Sequence, residues 1–188
     1  MNTLEAIERR RSIRRFKSAP FSRETIEKLL HAATQSPSAK NRQPWRFVVV
    51  ESERYRAQMV RIMRSKIDYL KEKGLETGSS EWSAKAMSEA PVTIFVFNGE
   101  SINDTSEVSW SLVDVQSIGA AIQNMLLAAQ EMDLGSLWIC DVYYAYEDLC
   151  HWLGRDDQMI AAVSIGYPDE APGPRPRRPW EEVTTWLD

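Results

Sequence analysis

The chain is poor in residues that do chemistry unaided. It has two histidines, His31 and His151, and two cysteines, Cys140 and Cys150, and no metal-ligand spacing connects them. Two cysteines make no disulfide framework, and they fit a reducing compartment in which free thiols behave as small buried hydrophobes. There is no Gly-x-Gly-x-x-Gly and no P-loop, so neither common nucleotide cradle is available. A Gly-x-Ser-x-Gly elbow is also missing. Glu181 and Glu182 are adjacent, and on the edge strand expected there they would point to opposite faces, which excludes a working carboxylate pair. No apolar run approaches the ~18 residues of a membrane span. The N-terminus has no apolar signal core, and Glu5 and Glu8 among its arginines are unlike a transit peptide. A soluble cytoplasmic protein without a membrane partner is expected. A formal charge of −4 and a pI near 5.4 argue against nucleic acid as a partner. Chemistry in such a chain is expected to belong to a cofactor, with the protein supplying shape and charge.

What is present suits one domain over residues 1–188, with 43% hydrophobic and 27% charged residues. Seven tryptophans favour extensive buried surface or an interface. The organising stretch is 36–50. Its first half is small and polar, and Pro37 and Pro44 push Ser36 and Gln43 towards extended geometry. Its second half is an apolar, β-branched strand. Ser38, Asn41 and Gln43 offer uncharged donors and acceptors that suit a planar hydrogen-bonding ligand. They equally suit an ordinary helix-to-strand loop.

Ahead of that stretch, Asn2 or Thr3 caps a short helix that runs into Arg9, Arg10, Arg11, Ser12, Ile13, Arg14, Arg15, Phe16 and Lys17. Six cations in these nine residues repel one another unless solvent or an anion intervenes. The run is either a solvated basic face or a phosphate site, for which arginine forks and the Ser12 hydroxyl are suited. Ser22 caps a helix whose Ile26, Leu29, Leu30 and Ala33 share one face. Strands are expected over 46–50, 92–97, 136–140 and 159–165. Helices are expected over 54–73, 82–90, 113–132 and 146–153, the first of them amphipathic and core-facing. Gly135 is the expected left-handed cap of the 113–132 helix. That helix is apolar almost all round, so it should be buried on all sides, at a subunit interface or in a monomer core. Residues 98–110 are polar and turn-rich, either a lid or a surface loop. After Gly166 come five of the nine prolines, which give residues 168–188 an extended arm carrying Arg175, Arg177 and Arg178. It closes on a plausible edge strand over 181–187. An arm needs something to lie on, and a second subunit is the natural candidate.

Three segments together, 9–16, 36–47 and 175–179, resemble the FMN-dependent nitroreductase family. Weaker likeness comes from Ala90-Pro91, the 119–129 helix and residues 134–139. The resemblance runs the length of the chain in order. It implies an α+β fold, a central and mostly antiparallel sheet flanked by helices, in an intertwined homodimer that exchanges C-terminal arms. It implies FMN at the subunit interface, NAD(P)H as co-substrate and a small-molecule electron acceptor, reduced by a ping-pong scheme. Carried over residue by residue, Arg10, Arg11, Ser12 and Arg14 hold the FMN phosphate and reach the pyrimidine edge of the ring. Pro37, Ser38, Ala39 and Asn41 lie against the ring from the other subunit. Arg175 and Arg177 are the arm's phosphate ligands, and Arg178 could share that task. Ile139, Cys140 and Asp141 match the backbone over the flavin's reactive nitrogen. Cys140 departs from the glycine or glutamate common in that stretch, and a buried, inert thiol is expected. The chain is short for the family, which places a trimmed excursion at 98–110. The resemblance leaves open flavin-fragmenting or dehalogenating chemistry on the same fold, and a non-catalytic flavin-binding dimer.

Overall fold

Val92–Asn98, which becomes strand β2, is buried at every residue, and the molecule is built outward from it. The computed structural model describes residues 2–100 and 109–187. β2 pairs antiparallel with β1 (Trp45–Val50) on one side and with β4 (Gln158–Gly166) on the other. β3 (Gly135–Ile139) adds to β4, giving a four-stranded antiparallel sheet in the order β1-β2-β4-β3. Alternate side chains leave β2 on opposite faces. Phe95 and Phe97 join Met59, Met63, Met87 and Leu149 on one face, and Ile94 and Val96 join Leu29, Ile118, Ile122 and Met125 on the other. The sheet is therefore sandwiched between two helical layers, the α+β architecture expected.

The layer over Phe95 is made by α3 (Glu53–Glu72), α4 (Ser80–Glu89) and α6 (Tyr146–Leu153). The layer over Ile94 is made by α2 (Arg23–Thr34) and α5 (Trp110–Glu131). Side-chain caps set the helix starts: Asn2 makes a capping box with Glu5 at the head of α1 (Thr3–Arg9), and Ser22 and Ser52 accept from Thr25 and Tyr55.

α5 corrects two expectations. Its 22 residues make it long and apolar enough to cross a membrane by length and composition alone, contrary to the reading that no segment approaches a span. Here it packs against α2 and the sheet, as a core helix does. Nor is it buried on all sides within the protomer: Leu112 and Gln116 are exposed, and Gly119, Ala120, Leu127 and Ala128 are half-buried. Its left-handed cap is Asp133, at φ 57°, with Leu134 N–H closing back onto the Ala129 carbonyl. Gly135 instead opens β3, because Ile13 sits so close that a Cβ there would fall 2.8 Å from Ile13 Cγ1.

The 181–187 edge strand is not formed. Trp180–Val183 is a short 3₁₀ turn, and the arm is exposed from 171 to 187. A strand needs a neighbouring strand's backbone groups, and among the described residues this segment pairs with no strand, its Glu182 N–H turning back to the Pro179 carbonyl. The reading of 98–110 as a lid or loop falls mostly on 101–108, outside the described residues; α5 already begins at Trp110.

Candidate functional site

The basic run is pinned by backbone. Ser12 bridges to Ser136 of β3, and Ile13 N–H donates to the Ser136 carbonyl at 3.0 Å. On its other side the run lies along the start of the arm. Lys17 N–H donates to the Tyr167 carbonyl at 2.9 Å, and Asp169 N–H to the Arg15 carbonyl at 2.9 Å. The Glu170 carboxylate accepts from the backbone N–H groups of Arg14 and Arg15. Ile13 and Phe16 are buried and anchor the segment to the core.

This tethering folds the arm over the run and makes a cleft of about 350 Å³, lined by Arg10, Arg11, Ser12, Arg14, Arg175 and Arg177 with Glu8 and Pro172–174 at its edge. Charges that are about 160 residues apart in the chain thus share one concavity. Burial, then the nearby Arg177 and Arg11, push the Arg10 guanidinium below its ordinary value. The guanidiniums thus face one another across the cleft, with the Glu8 carboxylate at its edge, and the excess of positive charge suits an anionic guest. Arg178 is exposed on the arm and does not line the cleft.

The loop at 37–43 stands elsewhere. None of its residues lines the basic cleft. Ala39–Asn41 form one 3₁₀ turn, and Lys40, Asn41 and Gln43 all take positive φ, at 49°, 55° and 49°. Gln43 is therefore left-handed and not extended as Pro44 suggested. A non-glycine residue in that region costs roughly 1–2 kcal/mol, so three in four positions need support. Some is local: Gln43 N–H donates to Ser38 Oγ at 3.0 Å, and Gln43 Nε2 to Asn41 Oδ1 at 3.2 Å. Arg46 Nη1 on β1 donates to the Gln43 carbonyl at 3.1 Å, and more support comes from α5. Arg42 makes a two-pronged pair with Asp114, Nε to Oδ1 at 3.0 Å and Nη2 to Oδ2 at 3.1 Å, and also reaches Glu100 at 3.3 Å. Asp114 is only 2% exposed. Lys40 Nζ lies 4.6 Å from the Trp110 ring centroid, and Arg42 Cζ 5.1 Å from it. Upstream, Asn124 Nδ2 donates to Ser36 Oγ at 2.8 Å. Sequence reasoning missed this network. One signal was available: a carboxylate inside an apolar helix demands a buried cation.

Ile139 closes β3, the strand whose Ser136 bridges to Ser12, and Cys140 and Asp141 follow it into a 3₁₀ turn. Ile139 is buried. Cys140 is exposed in the protomer, contrary to the expected buried thiol, because β3 ends at Ile139 and the chain turns outward. Desolvation first, then the Asp141 charge, push its thiol above the ordinary cysteine value, so it stays protonated near neutrality. Cys150, in contrast, is buried as expected. Asp141 accepts from Ser79 Oγ at 2.8 Å and from Ser83 Oγ, which ties the end of β3 to the start of α4. Among the described residues, no cluster of His, Cys, Asp and Glu could hold a metal ion.

A four-stranded antiparallel sheet between two helical layers, with a multi-arginine cleft beside the sheet's edge, defines a protein of the α+β class with a concentrated basic concavity. Comparison with known families is more specific: residues 7–167 match the model of the Nitroreductase family, and the chain belongs to that family. It is 33% identical over 181 residues to a Methanothermobacter thermautotrophicus protein with the provisional name NADH dehydrogenase/NAD(P)H nitroreductase, covering 93% of this chain and 82% of that one. Iodotyrosine deiodinase of Thermotoga neapolitana is 28% identical over 182 residues, covering 93% and 91%. Among solved structures, a provisionally named nitroreductase of Desulfovibrio desulfuricans in complex with FMN superposes with a TM-score of 0.78 at 29% identity, covering 100% of this chain and 98% of that one.

Proposed function

We propose that the chain is an FMN-dependent oxidoreductase that uses NAD(P)H to reduce nitroaromatic, quinone or enone-type acceptors by a ping-pong mechanism, as an arm-exchanged homodimer. The observation that carries this reading is the cleft in which Arg10, Arg11, Ser12 and Arg14 meet Arg175 and Arg177. A phosphate monoester carries close to two negative charges at neutral pH, and this donor set is rich in charge-assisted hydrogen bonds for its oxygens. Bound FMN would supply the chemistry, taking a hydride from reduced nicotinamide and giving electrons to the acceptor.

The chain's own part is to bind, orient and polarise. The arginines fix the phosphate. Pro37, Ser38, Ala39 and Asn41 offer small and amide-type surface to a flat ring. Ile139, Cys140 and Asp141 offer backbone N–H groups at the exposed end of β3. Cations near the pyrimidine end of the ring favour the anionic reduced form. No side-chain acid or base is needed, in keeping with Cys140 as a protonated thiol.

Two features support a dimer. The 37–41 loop and the basic cleft do not meet within one protomer, so a second copy would bring them to one flavin. The arm also holds Trp180, Val183, Trp186 and Leu187 out to solvent, Leu187 at 96% exposure, an apolar surface that calls for a partner. The likeness to iodotyrosine deiodinase favours a second reading, reductive dehalogenation at the same cofactor site.

The test is the visible spectrum of the purified protein with added FMN, followed anaerobically on addition of NADH or NADPH. A yellow protein that bleaches and recovers its colour with a nitroaromatic supports the first reading. Recovery only with a halophenol, with halide release, supports the second. A colourless protein in excess FMN overturns both, and intersecting initial-rate lines overturn the ping-pong scheme.

A further inference from the structure

The geometry points to the Arg42–Asp114 pair as a latch that holds the 38–43 loop in its strained shape for the flavin ring. We infer that these two are positioning residues and that neither is a ligand of the cofactor. The inference rests on the flavin reading for what the loop does, but not for what holds it.

Three observations carry it. Lys40, Asn41 and Gln43 are all left-handed without being glycine, a shape the loop does not prefer by itself. The hydrogen bonds inside the loop, Gln43 to Ser38 and to Asn41, are local and move with it. What fastens it to α5 is Arg42, whose fork meets both oxygens of Asp114; Arg42 also reaches Glu100, and Arg46 Nη1 on β1 donates to the Gln43 carbonyl at 3.1 Å. A second, longer contact comes from the same helix face one turn on, where Ser117 Oγ accepts from Ala39 N–H at 3.5 Å. The carboxylate is 98% shielded from solvent, so it faces no competition from water, and a lysine could not reproduce both bonds. Residues that hold unfavourable backbone angles are over-determined by their surroundings, and such strain gathers at ligand clamps.

The test is amide hydrogen exchange on the full-length protein, read with FMN affinity, for Asp114→Asn and for the double variant Arg42→Met/Asp114→Leu. The double variant replaces a buried ion pair by apolar groups of similar bulk, a change that often leaves stability intact. Amides of 38–43, including the Gln43 N–H, are expected to exchange at least tenfold faster in both variants, while those of β2 and β4 keep parental protection. The Kd for FMN is expected to rise at least tenfold, and Asp114→Glu is expected to recover part of both losses. Parental exchange in the loop of the double variant overturns the latch. Parental FMN affinity despite a released loop overturns its role for the cofactor. A parent that binds no FMN overturns the functional reading alone, since loop exchange still reports on the latch.

Discussion

Removing the Arg10 guanidinium separates a phosphate site from a structural arginine, because the two predict opposite signs. Arg10 shares its cleft with four other arginines, and burial together with Arg177 and Arg11 depresses its pKa. A base whose folded pKa lies below its ordinary value carries its charge at a cost to the fold. Arg10→Gln therefore leaves the flavin-free protein as stable as the parent, or slightly more so. The same change deletes a charge-assisted bond to the phosphate, worth about 1.5–3 kcal/mol. At 1.4 kcal/mol per decade that is roughly 10- to 140-fold in Kd. Arg177→Gln, from the far end of the chain, is expected to behave alike. Because both act on one anion, the double variant departs from additivity. The assay is a flavin-fluorescence titration at low and high salt beside thermal melting of the flavin-free protein. Parental Kd in both single variants, or a flavin-free Arg10→Gln that melts well below the parent, refutes the reasoning.

Two further predictions follow from the ends of β3 and of the chain. The pKa of the Cys140 thiol, an exposed residue but a partly desolvated group, is raised above its ordinary value by that desolvation and then by Asp141, so the thiolate is scarce at neutral pH. Its alkylation rate in the flavin-free protein should climb with a midpoint above that of free cysteine. Asp141→Asn should lower that midpoint without restoring it fully; a parental midpoint below that of free cysteine contradicts this. Ending the chain after Ala171 removes residues 172–187, all of them exposed, together with the last residue. The fold should survive by circular dichroism while light scattering reports a monomer and FMN affinity collapses. A truncated chain that remains a dimer contradicts arm exchange.

The two halves of the arginine cleft were legible because like charge accumulates visibly: six cations in nine residues, and a proline-rich arm with three arginines, each need an anion or solvent. The strands and helices followed from β-branched runs and helical periodicity, with Ser22 and Pro91 as punctuation. Illegible features depend on contacts distant in sequence. Gly135 read as a cap by local rules, yet Ile13 claims the space at its Cα and Asp133 makes the turn instead. Gln43 read as extended before Pro44, yet the bond to Ser38 and the pull of Arg42 on Asp114 hold it left-handed. The arm's last residues read as a strand because their composition allows one, but pairing needs an edge that the protomer does not give them.

The claim on which all this stands is that the arginine cleft exists for a phosphate. Comparing FMN with riboflavin, which share the ring and differ in that group, tests it most directly. FMN should bind at least a hundredfold more tightly, and the gap should narrow in high salt and in Arg10→Gln. Equal affinity for the two would mean that the cleft holds something else.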